Sequence, residues 1–281
     1  MSYYEETEAR RLVIEAGLRL VREGLIARTW GNISARISEE QFVITPSGRA
    51  YDDLTPEELV VVNVADCAYE GEIKPSSEKG VHAAAYRLRS EVNFIIHTHQ
   101  YFASAVGVVD RNLPFAPCAA YGLPGTKKLW DAVEKVIAEN PDDKAILMSK
   151  HGALCLGDDY DQAFAVVEQL EKDSRAEFIL QVGFSEESQI LNTYGCHHSS
   201  LRAYVDDFAQ IVGAKAAVRG GAVQTPESDD KEAVEMIVSK NCAAALYAQA
   251  TGGKPMHLAD AQLQRMIYLT KYSKQNVKNK K

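Results

Sequence analysis

Apolar residues recur at helical spacing near the start of the chain. Leu12, Val13, Ala16, Leu20 and Val21 share one face over residues 8–26, with charged residues opposite, which predicts an amphipathic helix stopping near Gly24. The pattern then shortens. Residues 29–36 (Thr29-Trp30-Gly31-Asn32-Ile33-Ser34-Ala35-Arg36) read as a loop entering a strand, and Phe42 to Thr45 as a second strand that halts at Pro46-Ser47-Gly48. Thr55-Pro56-Glu57-Glu58 is a capping box with proline at the first helical position and predicts a short helix. Val60 to Val64 reads as a strand. Pro75-Ser76-Ser77-Glu78 opens a helix running to about Arg89, with serine as its cap.

Val92 to Ile96 is a buried strand that runs into His97-Thr98-His99. A helix from Ala103, a loop around Pro114 to Gly125 and a helix over 127–139 follow. Ala145 to Met148 is a strand that ends at His151-Gly152, and Asp158 to Val182 is a long helix whose acidic start suits its dipole. Beyond about Ser185 the stretch from Ala214 to Val223 echoes Ala145 to Leu154. This suggests a repeated strand-turn-helix unit in which Gly220 takes the place of His151.

Strands alternating with helices predict an α/β fold. No Pro/Gly/Ser-rich linker divides the chain, so a single layered domain over 1–281 is expected, with 185–281 as a C-terminal extension. Composition narrows the function. The chain has 281 residues, 46% hydrophobic and 25% charged, with a net charge of −8. That balance speaks against nucleic acid as a partner. No apolar run approaches the ~20 residues of a membrane span, and the acidic N-terminus lacks the features of a signal peptide. Five scattered cysteines without a CxxC pair suit a reducing cytoplasm.

The sharpest chemical signal is His97 and His99. Residues i and i+2 of a strand point to one face, so both imidazoles can meet one ion. His151, at the end of another strand, would complete a three-imidazole site with an open position, the arrangement of a catalytic zinc. On spacing alone, surface or hydrogen-bonded core histidines remain the alternative. Glu78, in the first turn of its helix, is either a dipole partner or an acid/base group. Ser76 and Ser77 offer hydroxyls and N–H groups at a helix N-terminus. Gly31 and Asn32 on one loop, and Thr45, Ser47 and Gly48 on another, add small donors to a phosphate cradle built without lysine. Their alternative is ordinary turn chemistry. His82 reads as packed and hydrogen-bonded, and His197, His198 and His257 as structural or exposed.

In order, TWGNISAR, ITPSGRAYDDLTPEELVVVN, KPSSEKGVHAAAYRLRSEVNFIIHTH and SKHGAL resemble the class II aldolase/adducin family over roughly residues 9–183. The resemblance implies a central, mostly antiparallel or mixed sheet with helices on both faces, and a homotetramer with sites at subunit boundaries. It implies Zn2+ on His97, His99 and His151, Glu78 as the acid/base carboxylate, and a substrate phosphate near Gly31, Asn32, Thr45, Ser47, Gly48, Ser76 and Ser77. The activity implied is reversible cleavage of a sugar phosphate, a phosphorylated ketose, to dihydroxyacetone phosphate and an aldehyde through an enediolate. A dehydratase or epimerase on the same scaffold, or an adducin-like assembly protein, are the alternatives. Epimerases of the family tend to carry aspartate where Glu78 stands, and adducin-type members lack the full histidine set. The segment that holds a catalytic tyrosine in the family's aldolases has no counterpart here, and Tyr121 reads as packing or pocket lining.

Overall fold

The structure, a computed structural model, describes residues 3–26, 30–197, 201–213, 215–219, 222–224 and 231–272. Two compact units divide it. The first takes in the described residues of Met1–Gln100, Arg111–Met148 and Gly152–Leu170, and the second those of Tyr101–Asp110, Ser149–His151 and Glu171–Lys281.

The first unit is built on a seven-stranded sheet. Its strands are β1 (Asn32–Arg36), β2 (Gln41–Ile44), β3 (Val60–Asn63), β4 (Phe94–Thr98), β5 (Cys118–Ala119), β6 (Ala145–Met148) and β7 (Gly152–Gly157), in the order β3-β2-β1-β4-β7-β6-β5. Every pair is antiparallel except β5 with β6. Helices α2 (Lys79–Leu88) and α4 (Lys127–Glu139) cover one face. Val81, Ala85 and Tyr86 of α2 and Leu129, Val133 and Ile137 of α4 pack with Phe42, Ile44, Ile95, Ile146 and Leu154 of the sheet. Each fully buried side chain of this size contributes roughly 1.5–3 kcal/mol. On the other face, α1 (Glu6–Arg22) lies against β1 and β2, and Phe94 meets Tyr160, the first residue of α5 (Tyr160–Val182), edge-on with centroids 5.4 Å apart. Helices therefore flank the sheet on both faces, as the resemblance implies.

Strand β1 positions the site. It is buried on both faces, yet its residues alternate polar and apolar: Asn32, Ser34 and Arg36 share one face, Ile33 and Ala35 the other. In the register, Asn32 faces His97 and Ser34 faces Ile95, so this polar row lies on the side covered by α2.

The second unit holds α3 (Tyr101–Val106), α6 (Glu187–His197), α7 (Asp206–Ile211), α8 (Lys231–Thr251) and α9 (Leu258–Ile267). It also holds a three-stranded antiparallel sheet of β8 (Leu201–Arg202), β9 (Lys215–Arg219) and β10 (Ala222–Gln224). Alanines 243, 244, 245 and 248 of α8 are buried with Cys242 and Tyr247, and their small side chains let α3, α6 and α7 pack closely. Asn241 Oδ1 accepts from the N–H groups of Tyr204 and Val205, at 2.7 and 3.2 Å, and ties α8 to the chain entering α7. Lys240 forms a buried ion pair with Asp207.

Several boundaries shift. The first helix ends at Arg22, before Gly24 in the left-handed region at φ +67°. The capping box makes a single 3-10 turn, Pro56–Glu58, because Leu59 is already extended toward β3. Helix α2 starts at Lys79, so Glu78 is its N-cap rather than a first-turn residue. Of the predicted repeat, Ala214, Gly220 and Gly221 lie outside the described residues. Around them β9 and β10 pair as a hairpin, as β6 and β7 do, and each hairpin precedes a long helix. No described helix is long and apolar enough to cross a membrane.

Candidate metal and acid/base site

His97 is the next-to-last residue of β4. Glycine carries the flanking chain on both sides of it. A Cβ at Gly31, which has φ +76°, would lie 2.7 Å from the His97 carbonyl oxygen. A Cβ at Gly152 would lie 2.2 Å from the Thr98 carbonyl oxygen and 3.1 Å from His97 Cε1. The His97 ring donates from Nδ1 to the Ala153 carbonyl at 2.9 Å, and its Nε2 faces His99 and Glu78. His99 lies just past the strand. Thr98 Oγ1 donates to Gln100 Oε1 and Gln100 Nε2 to the Val167 carbonyl, both at 2.8 Å, so the residues on either side of His99 are pinned. Its ring stacks on Trp30, with centroids 6.3 Å apart and 16° between planes.

His151 sits in the turn between β6 and β7. The preceding residue, Lys150, has φ +60°, a conformation that costs a non-glycine residue free energy and marks a constrained turn. His97, His99 and His151 are all buried, and one ligand atom from each lies within 4.8 Å of the others. His99 Nε2 is 3.0 Å from His97 Nε2, and Glu78 Oε2 is 3.2 Å from the same atom. The three ring nitrogens and the Glu78 carboxylate oxygen are gathered here, and three imidazoles beside a carboxylate fit a divalent cation.

Glu78 is held by a chain of hydrogen bonds with one consistent sense. A carboxylate accepts, so Asn32 Nδ2 donates to Glu78 Oε2 at 2.8 Å. Asn32 Oδ1 then accepts from His82 Nε2 at 2.5 Å. That leaves His82 Nδ1 to accept from Ser34 Oγ at 2.7 Å, and Ser34 Oγ to accept from Tyr86 OH at 2.8 Å. All five residues are buried. Burial, reinforced by the nearby His97 and opposed by Glu78, draws the His82 pKa from 6.5 to about 3, so the ring is neutral and can act as donor and acceptor at once. Burial likewise pushes the Tyr86 phenol up. Glu78, His82 and Tyr86 are spaced i, i+4, i+8, which puts them on one stripe facing Asn32 and Ser34.

The small-donor loops are zipped together. Pro46 and Pro75 form an antiparallel bridge, Ser47 N–H donates to Lys74 O at 2.9 Å, and Ser76 N–H donates to Thr45 O at 2.9 Å. Thr45 N–H donates to Ile33 O at 3.1 Å, which brings in the loop of Gly31 and Asn32. The N–H groups of Thr45, Ser47 and Ser76 serve the zipper, and those of Glu78 and Lys79 go to Ser76 Oγ and Ser76 O. Gly48, at φ +72°, makes the turn after Ser47. Ser77 lies against Gly125, where a Cβ would come within 2.8 Å of the serine Cβ.

Other histidines fall outside this centre. His257 caps α9 by accepting from the Ala259 N–H at 3.3 Å, while His198 and the side chain of His197 lie outside the described residues. Tyr121 is half-buried in the loop before α4. Sequence reasoning missed the partner of His151. Asp206 Oδ2 is 2.8 Å from His151 Nδ1, across 55 positions of sequence. The only trace was an acidic pair ahead of an apolar run, which reads as helix-dipole compensation.

Residues 11–178 match the model of the class II aldolase and adducin N-terminal domain. The 5-deoxy-D-ribulose 1-phosphate aldolase of Bacillus thuringiensis serovar kurstaki is 34% identical over 174 residues, covering 58% of this chain and 80% of that protein. The L-fuculose phosphate aldolase of Escherichia coli K12 is 30% identical over 179 residues, covering 59% and 81%. A solved L-fuculose 1-phosphate aldolase superposes with a TM-score of 0.58 at 27% identity, over 66% of this chain and 90% of that one. The matched span takes in more than half of the 281 residues, including every strand of the larger sheet, and the chain belongs to the class II aldolase and adducin family.

Proposed function

We propose that this protein is a metal-dependent aldolase. It reversibly cleaves a phosphorylated ketose into dihydroxyacetone phosphate and an aldehyde. His97, His99 and His151 hold the ion, and Zn2+ suits their neutral nitrogen donors. Such an ion supplies Lewis-acid polarisation of a ketone oxygen and so acidifies the neighbouring carbon. Glu78 takes the proton from that carbon and returns it. The observation that carries this reading is the 3.2 Å approach of Glu78 Oε2 to His97 Nε2. It puts the Glu78 carboxylate beside the nitrogen of a proposed ligand, which supports a role for it as general base toward the carbon next to a bound ketone. Asn32 holds the carboxylate in one orientation through its 2.8 Å hydrogen bond. The hydroxyls of Thr45, Ser47, Ser76 and Ser77, with the turns at Gly31 and Gly48, anchor the phosphate and place the ketone next to Glu78.

The relatives named for their action on 5-deoxy-D-ribulose 1-phosphate and L-fuculose phosphate support a ketose 1-phosphate as the substrate class. The four described thiols Cys67, Cys118, Cys155 and Cys242, none in a disulfide, support a cytoplasmic setting. A homotetramer is the assembly we expect, and light scattering of the purified chain tests it. The test of function is incubation of the zinc-loaded protein with ketose 1-phosphates of differing length and stereochemistry. Released dihydroxyacetone phosphate is followed by its enzymatic reduction with NADH. Release of dihydroxyacetone phosphate supports the aldolase. Water loss or an epimerised product in its place assigns a dehydratase or epimerase, and no turnover at all points to an assembly role.

A further inference from the structure

The family match ends at residue 178, but the groups behind His151 come from beyond it. Asp206 is fully buried at the start of α7, and its Oδ2 lies 2.8 Å from His151 Nδ1. The Asp206 N–H donates to the Lys150 carbonyl at 2.8 Å, so one residue grips the 149–151 turn by both backbone and side chain. The second carboxylate oxygen is not left to rotate, because Gln264 Nε2 of α9 donates to Oδ1. Arg265, the next residue, donates to the carbonyls of Gln210 and Ile211 at the end of α7 and fixes α9 to it. The Asp206 carboxylate therefore has one orientation, set from two helices.

We infer that Asp206 is a positioning residue for His151. It holds the ring in the Nδ1–H tautomer and strengthens Nε2 as a donor to a divalent cation. The inference rests on the reading of His97, His99 and His151 as metal ligands. Its physical basis is the ordinary one for a ligand imidazole: a carboxylate on the far nitrogen fixes the tautomer, limits ring rotation and raises the basicity of the near nitrogen. The contrast with His97 is informative. That ring has a neutral carbonyl on Nδ1, which fixes the tautomer without adding charge. Asp206 and Gln264 would thus tie the C-terminal region, by chemistry rather than by shape, to His151.

The experiment uses the metal-stripped full chain and Asp206→Asn and Asp206→Ala variants. Zinc affinity is measured by competition with a chromophoric chelator, and histidine tautomers are read from 15N imidazole spectra of the metal-free protein. We expect the wild type to bind one zinc, lost in His97→Ala, and to show His151 as the Nδ1–H form. Either Asp206 variant should bind zinc ~10–100-fold more weakly, and Asp206→Asn should populate the Nε2–H form. If Asp206→Ala does not fold, Asp206→Asn and the wild-type tautomer decide. Folded variants with affinities within about twofold of wild type, or a wild-type ring protonated on Nε2, overturn the role of Asp206 and leave the metal site standing. A wild type that binds no zinc, or a His97→Ala variant that still binds it, overturns the metal reading and the inference with it.

Discussion

Glu78 and His151 are both buried and both held by hydrogen bonds, but by opposite kinds of group. Behind Glu78 runs a neutral chain of Asn32, His82, Ser34 and Tyr86, drawn from one strand and one helix. Behind His151 stands a carboxylate, Asp206, steadied by Gln264. A neutral chain fixes direction without adding charge, which would suit the proposed proton-transfer role of Glu78. A charged partner fixes direction and adds donor strength, which would suit the proposed ligand role of His151. Cutting the first should affect the reaction, and cutting the second should affect the ion.

The largest expected effect that tests this division is at Glu78 itself. Glu78→Gln should lower kcat by ~10²–10⁴-fold while the zinc content stays at one per chain and the circular dichroism is unchanged. Loss of the metal would place Glu78 among the ligands, and near-normal turnover would remove it from the chemistry. A smaller effect is expected where the neutral chain is cut far from the reaction. Ser34→Ala strands both His82 Nδ1 and the Tyr86 hydroxyl in the interior. It should cost about 1–3 kcal/mol in urea unfolding and leave zinc affinity within about twofold of wild type.

The finest test is a slope. His82 is held neutral, with its pKa near 3 in the fold against 6.5 when unfolded. Between those values the unfolded chain binds a proton that the folded one refuses. The stability from this group is complete above pH 6.5 and declines as pH falls toward 3, by up to ~1.4 kcal/mol per unit. Urea midpoints at pH 7 and pH 5 should separate more for the wild type than for His82→Gln. Equal separation would mean that the ring is charged in the fold and that the hydrogen-bond chain does not run from Tyr86 through His82 to Glu78.

These groups differ in how far the sequence announced them. The alternation within Asn32-Ile33-Ser34-Ala35-Arg36 marks two faces of a strand, and His97 with His99 marks one side of the next strand. Periodicity names a face but not what covers it. A polar row usually faces water, and here it faces α2, because Glu78, His82 and Tyr86 supply the partners its groups need. The helix over 127–139 and the strand over 145–148 follow their apolar spacing to the residue, since packing and local preference agree there. The start of α2 does not, because Ser76 Oγ takes the Glu78 N–H and delays the first helical turn. Asp206 was beyond reach for a different reason. Its hydrogen bond depends on a tertiary return of the chain, which no local spacing encodes.

The two glycines beside His97 carry one more consequence. Backbone presses on that residue from β7 and from the loop ahead of β1, with no room at either position for even a methyl group. The backbone at His97 is therefore fixed in place, and if the proposed histidines hold a cation, exchange for one of larger radius would not be absorbed by a shift of that strand. The adjustment would fall to His99, past the end of its strand, and to the tight turn that carries His151. Were the three histidines to hold a cation as proposed, tolerance toward different ions would depend on those two segments, with His97 as the fixed point.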